Sequence, residues 1–166
     1  MTPSRLGIVV AALVFVADQA LKAWILFGFE LPLRERVRLG PIELTMVWNR
    51  GISYGLFQQH EDIGRYGLVL LSLAAALFLA AWLARAQSRL VGLALGLLIG
   101  GALGNALDRV VYGAVADFIL LWWIPFFPYV FNIADSAIVA GVALLLYDSL
   151  WAEARRAQAP GSDRPA

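Results

Sequence analysis

The sequence has no cysteine, one histidine (His60) and one lysine (Lys22) among its 166 residues. Without cysteine there is no disulfide, no thiolate nucleophile and no zinc–sulfur site. His60 lies in a charged polar stretch, so a Ser-His-Asp triad would have to be built on that single side chain. No His-Glu-x-x-His motif occurs, which removes that class of zinc protease. Charge is scarce too: Asp, Glu, Lys and Arg make up 15% of the chain, where an ordinary globular chain has about 25%. With a formal net charge of +1 and no dense basic patch, nothing points to nucleic acid as a partner.

What is abundant is apolar sequence. The chain is 61% hydrophobic, and the excess falls in runs long enough to cross a bilayer. Four spans are predicted, at about 6–27, 66–84, 90–109 and 130–151. The first follows Arg5, an arrangement that also suits a secretory signal peptide. No small-x-small cleavage site follows directly and apolar character resumes after Lys22, which favours an uncleaved helix. In the third span Gly92, Gly96 and Gly100 recur every four residues, a face that lets a neighbouring helix approach closely.

Between the first two spans, residues 28–65 form the one sizeable polar region. Ile42 to Trp48 alternates apolar and polar residues with β-branched and aromatic members, which predicts strands. Asn49-Arg50-Gly51 reads as a turn, Tyr54 to Phe57 as a continuation of the sheet, and Glu61-Asp62 as the start of the next helix. Phe118 to Tyr129 is apolar but carries Trp122, Trp123, Pro125 and Pro128, which predicts an interfacial segment. Residues 152–166 read as a disordered tail after a single membrane-embedded domain over 1–151. The fold class is thus all-α integral membrane, with a small extracytoplasmic β-rich region and the interfacial segment on the same face. Basic residues divide almost evenly between the two sides; the acid-free Arg85–Arg89 connection favours cytoplasmic termini.

Polar residues within the spans collect at one depth. Lys22 is late in the first span, Asp108 and Arg109 end the third, Asp135 is early in the fourth, and Asp117 lies in the connection between them. Asp18 and Lys22 are four residues apart and able to pair. Asn105 with Asp108 and Arg109, and Asn132 with Asp135, share helix faces in the same way. Asp18–Lys22 and Asp108–Arg109 both read as structural braces, and Asn105 and Asn132 as links between helices. Asp117 and Asp135 lack such partners. Two neighbouring carboxylates without counter-charge do not both ionise, and a shared proton is what an aspartic protease uses to activate water.

These residues bring the chain into likeness with a known family. Asp18-Gln19-x-x-Lys22, Asn49-x-Gly51, Gly104-Asn105-x-x-Asp108-Arg109, Asp117-Phe118 and Phe131-Asn132-x-Ala134-Asp135-Ser136, in that order, resemble bacterial lipoprotein signal peptidase (signal peptidase II, aspartic peptidase family A8). The resemblance covers about residues 16–149. It implies an inner-membrane endopeptidase that removes the signal peptide of diacylglyceryl-modified prolipoproteins just before the lipidated cysteine, at the periplasmic face. It implies catalysis by Asp117 and Asp135, and substrate-binding or dyad-supporting roles for Asp18, Lys22, Asn49, Gly51, Asn105, Asp108, Arg109 and Asn132. It implies no metal or cofactor, membrane lipid as surroundings, inhibition by globomycin-type cyclic peptides, and both termini in the cytoplasm. Tyr54, Ala116 and Phe127 depart from the residues usual there, by changes of similar character that bear on substrate preference.

Two other readings compete with this one. Lys22 with Ser53 or Ser136 would make a Ser–Lys dyad, although Asp18 one turn away holds that lysine charged. The intramembrane carboxylates could instead serve a small ion or proton transporter. Against transport, the other halves of the spans are almost wholly apolar, which makes a dead-end cleft.

Overall fold

A computed structural model describes residues 1–51 and 62–158. Four helices are long and apolar enough to cross a membrane: α1 (Pro3–Ala23, extended by a π-helical turn over Trp24–Gly28), α2 (Asp62–Leu83), α3 (Arg89–Tyr112) and α4 (Ile133–Gln158). Their starts are written locally. Thr2 accepts the Arg5 N–H ahead of Pro3, and the Ser88 hydroxyl accepts the Val91 N–H at 3.0 Å, each satisfying a donor that the helix leaves open. α4 continues past the expected end at Trp151 to Gln158. Ala, Glu, Arg and Gln, which fill that last stretch, are all strong helix formers.

α3 is the hub, packed against α1, α2 and α4. Its spanning window is 61% buried, against 17% for each of the others. The glycine face meets α1: a Cβ at Gly96 would stand 2.5 Å from the Gly7 carbonyl oxygen, and one at Gly100 2.6 Å from that of Ala11. On another face a Cβ at Gly101 would stand 2.5 Å from the Ala134 carbonyl oxygen of α4. Backbones this close gain dispersion contacts that a bulkier stripe would forfeit.

One end of the bundle carries a four-stranded antiparallel sheet in the order β1 (Val37–Leu39), β2 (Ile42–Asn49), β3 (Val115–Leu120) and β4 (Val130–Phe131). The alternating stretch is β2, as expected. The expected interfacial segment is different in its first part: Phe118–Leu120 belongs to β3, whose register sets Val47 opposite Asp117. β3 is buried from Val115 to Phe118 and so shows no alternation to betray it. The turns that follow expose Trp122, Trp123 and Phe126. Ile25, Leu31, Leu44 and Phe118 form the core between the sheet and the end of the first span. The expectations for Ser53, Tyr54–Phe57, His60 and Glu61 lie outside the described residues.

Between α3 and β3 the chain reverses at Gly113, whose φ of +79° is the left-handed conformation that glycine adopts without strain. Arg65 of α2 closes the same helix end, donating from Nε to the Arg109 carbonyl at 2.7 Å and from Nη2 to that of Val110 at 2.8 Å. A cation there also opposes the negative end of the helix dipole. This fixes where β3 begins.

Gly96→Leu should therefore cost about 1–3 kcal/mol or more, since neither backbone can withdraw. Gly67→Leu, where a Cβ meets nothing within 4 Å, should leave stability unchanged. Thermal unfolding in detergent micelles compares the two; equal midpoints would contradict the packing account.

Candidate active site

All ten residues singled out from the sequence stand at the sheet end of the bundle. Asp18 and Lys22 come from α1, Asn49 from the end of β2 and Gly51 from just beyond it. Asn105, Asp108 and Arg109 come from the last turns of α3, Asp117 from β3, and Asn132 and Asp135 from the start of α4. The sequence places five helix and strand ends here, and the side chains fill two adjoining clusters.

The first is a buried ion cluster. Lys22 Nζ lies 2.7 Å from Asp18 Oδ2 and 2.7 Å from Asp108 Oδ2, with all three side chains at most 1% exposed. Its third contact is Asn105 Oδ1, at 3.4 Å. The expected Asp18–Lys22 pair is present. The expected partner of Asp108 is not: Arg109 points elsewhere, donating to the carbonyls of Gly51 and Asn105, and Lys22 of another helix takes its place. Adjacent residues on a helix project about 100° apart, so Asp108 and Arg109 serve different neighbours. Three acceptors surround its ammonium, and none of them is a serine. Ser136 Oγ is itself occupied, donating to the Asn132 carbonyl at 3.0 Å.

Gln19 was missed. Its Nε2 donates to Asp108 Oδ1 at 2.9 Å, to Asp18 Oδ2 at 3.1 Å and to the Gly104 carbonyl at 3.3 Å, so the amide bridges the two acids that Lys22 also bridges. The signal was available, an amide inside an apolar run between an acid and a base. Two backbone donors finish the cluster: Ala134 N–H of α4 reaches Asp18 Oδ1 at 2.9 Å, and Ala116 N–H of β3 reaches Asp108 Oδ2 at 3.1 Å. Asp18 thus serves as an anion at the positive end of α4.

The second cluster surrounds Asp117 and Asp135, and its donors are amides. Asn132 Nδ2 reaches Asp117 Oδ1 at 2.7 Å, Asn49 Nδ2 reaches Asp117 Oδ2 at 3.1 Å, and Asn105 Nδ2 reaches Asp135 Oδ1 at 2.8 Å. Each amide is held the right way round by what its oxygen accepts. Asn49 Oδ1 takes the Gly51 N–H at 3.0 Å, and Asn132 Oδ1 takes the Asp135 N–H at 2.9 Å as the cap of α4. Asn105 Oδ1 takes Lys22 and Asn132 Nδ2. Among the described residues neither Asp117 nor Asp135 joins an ion pair. Burial, and then the charge of Asp135, push the Asp117 carboxyl up to about 7, although the amides of Asn49 and Asn132 and the Lys22 ammonium pull the other way. A carboxyl so placed exchanges its proton near neutrality, the property a general acid or base requires.

At Asp135 a cleft of about 410 Å³ runs along α4, with Asp135 and Ser136 among apolar walls that include Leu121, Phe127, Phe131 and Val139. That volume suits a lipid- or peptide-sized ligand. Arg109 is 8% exposed, and its Nε is the one buried side-chain nitrogen or oxygen without a partner among the described residues.

The family described as Signal peptidase (SPase) II matches residues 10–151. A lipoprotein signal peptidase of Methylobacterium sp. (strain 4-46) is 54% identical over 156 residues, 93% of this chain and 94% of its own. One from Methylobacterium radiotolerans is 53% identical over 168 residues, covering 100% of this chain and 98% of the relative. A solved "Bacterial membrane enzyme structure by the in meso method at 2.3 A resolution" superposes with a TM-score of 0.78 at 25% identity, over 96% of this chain and 94% of that one. With the sheet, the four helices and the paired acids in place, the chain belongs to the signal peptidase II family.

Proposed function

We propose that the protein removes the signal peptide from diacylglyceryl-modified prolipoproteins, cutting just before the lipidated cysteine, with Asp117 and Asp135 activating a water. The observation that carries this reading is a pair of neighbouring carboxylates held by oriented amides and unneutralised by any ion pair among the described residues. One proton resides on the pair. The ionised carboxylate takes a proton from water as it attacks the scissile carbonyl, and the protonated one donates to the carbonyl oxygen. The roles then reverse as the amine leaves. Asn49, Asn105 and Asn132 stabilise the negative charge by hydrogen bonds without neutralising it. Arg109, beside Asn105 and Gly51, helps position the peptide, and the apolar cleft along α4 receives apolar substrate.

In this reading the protein is a bacterial inner-membrane enzyme with both termini in the cytoplasm and the sheet at the periplasmic face, where a lipidated precursor presents its cleavage site. The buried polar residues of the described chain gather at the sheet end, which supports a cleft closed below and not a path through the bilayer.

Asp117→Asn and Asp135→Asn should each lower cleavage of a diacylated precursor about a thousandfold or more, with unchanged elution and helical content. Near-normal turnover in either would remove the assignment; Ser136→Ala should remain active and globomycin-sensitive.

The pH dependence has a definite sign. Above about 7 Asp117 loses its proton, so kcat/KM should fall about tenfold per pH unit as the general acid disappears. Its folded value lies above the ordinary 3.8, so its contribution to stability, full below that ordinary value, is lost as pH rises through about 7. A rate profile flat to pH 9 would contradict the shared proton.

A further inference from the structure

The outer face of the sheet carries a group of charges that the reaction does not use. Glu43 of β2 is buried (1% exposed) and faces the edge strand: Arg38 Nε donates to its Oε2 at 2.8 Å and Arg36 Nη1 to its Oε1 at 3.4 Å. Both guanidinium groups are largely exposed, at 64% and 67%. Arg38 lies over the Trp122 ring, 4.7 Å from its centre, and Trp122 Nε1 is tied to the Gly40 carbonyl at 3.0 Å. Arg34 repeats the arrangement, with Nε on the Phe29 carbonyl at 2.9 Å and its guanidinium 4.3 Å from the Phe29 ring centre.

Arg34 and Arg38 therefore spend Nε on the protein and rest on an aromatic ring. The side chains are already ordered, and the two terminal amino groups of each, the fork that fits a phosphate, have no protein partner among the described residues. Arg36 reaches the same carboxylate through Nη1, which leaves its other terminal amino group beside the open fork of Arg38. The surroundings are not those of an aqueous surface. Phe27, Leu33, Leu39, Trp122, Trp123 and Phe126 are all exposed here, Leu33 by 82% and Phe126 by 85%. Exposed tryptophan and aliphatic side chains interleaved with arginine, at the level where four spanning helices end, mark the headgroup layer of a bilayer. Glu30 and Glu35 also lie on this segment, and Glu43 is consumed by the arginine pair, so selectivity comes from the oriented forks and not from bulk positive charge.

We propose that Arg36 and Arg38, braced by Glu43 and Trp122 and flanked by Arg34, form a binding site for the phosphate of an anionic phospholipid, anchoring the sheet at the membrane surface. The site is separate from the acids of the cleft and does not depend on their role.

The test is lipid retention. The full chain is reconstituted in nanodiscs of phosphatidylcholine with about 30% phosphatidylglycerol, extracted mildly, and its bound lipid measured by native mass spectrometry. The native chain should keep phosphatidylglycerol in preference to phosphatidylcholine. R36Q/R38Q/E43Q, which removes the brace together with its charges and leaves no buried carboxylate unpaired, should lower that retention by about fivefold or more per guanidinium lost, with the same thermal midpoint. R38K, which keeps the charge and the Glu43 contact without the fork, should lower it in part. Inorganic phosphate at millimolar concentration should not compete. Equal retention in native and triple-variant chains, equal retention of both lipids, or displacement by free phosphate would each overturn the proposal.

Discussion

The contact on which the rest depends is the Lys22 ammonium between Asp18 and Asp108. One cation faces two carboxylates in an apolar layer, an arrangement that costs several kcal/mol per ion unless every oxygen is met. Here each is met. Asp18 Oδ1 has the Ala134 N–H and Oδ2 has Lys22 and Gln19; Asp108 Oδ1 has Gln19 and Oδ2 has Lys22 and the Ala116 N–H. The donors come from α1, β3 and α4 and the acceptors from α1 and α3. The cluster is satisfied only when all four elements are in register, so it specifies their relative depth more than it adds net stability.

That register reaches the reacting acids through amides. Lys22 holds Asn105 Oδ1, which turns Asn105 Nδ2 toward Asp135. Ala116, whose N–H is fixed by Asp108, immediately precedes Asp117, and Asn132 both caps α4 and donates to Asp117. The cation is thus kept one residue away from the carboxylates that must share a proton. Had Lys22 paired with Asp117 or Asp135, that acid would be fixed as the anion and the two could not exchange the roles of base and acid. Neutral donors stabilise the single negative charge while leaving the shared proton in place.

Much of this was legible in the sequence, because membrane chains cannot hide polar residues. The four spans, the glycine face of α3, β2 and the convergence of Asp18, Lys22, Asn105, Asp108, Asn132 and Asp135 all follow from periodicity and from the antiparallel run of the spans. What was misread depends on contacts between elements. Asp108 next to Arg109 looks like a pair until three-dimensional packing offers Lys22. β3 is covered on both faces, so its Val-Ala-Asp-Phe-Ile-Leu run carries no period of two and passes for an interfacial stretch. Gln19 is part of the motif, but a neutral amide gives no charge to balance, so its role is not visible until both acids it bridges are located. The fourth span ends at Trp151 as expected, and α4 runs on to Gln158 because Ala, Glu, Arg and Gln favour helix.

The glycines of α3 connect packing to chemistry. Gly92, Gly96 and Gly100 bring α1 to backbone distance, and one turn further on a Cβ at Gly104 would stand 2.7 Å from Asp18 Oδ2. The stripe that makes the two helices fit is therefore continuous with the floor of the ion cluster, and Gln19 Nε2 donates to the carbonyl of that same Gly104. Close approach is what makes a short ammonium bridge geometrically possible between α1 and α3: with side chains in the stripe the helices would stand farther apart, at the usual 8–10 Å, and Lys22 could not touch Asp18 and Asp108 together without water between. Water there would raise the local dielectric, loosen the amide orientations and solvate Asp117. The small residues of the span thus act on the carboxyl chemistry through distance alone.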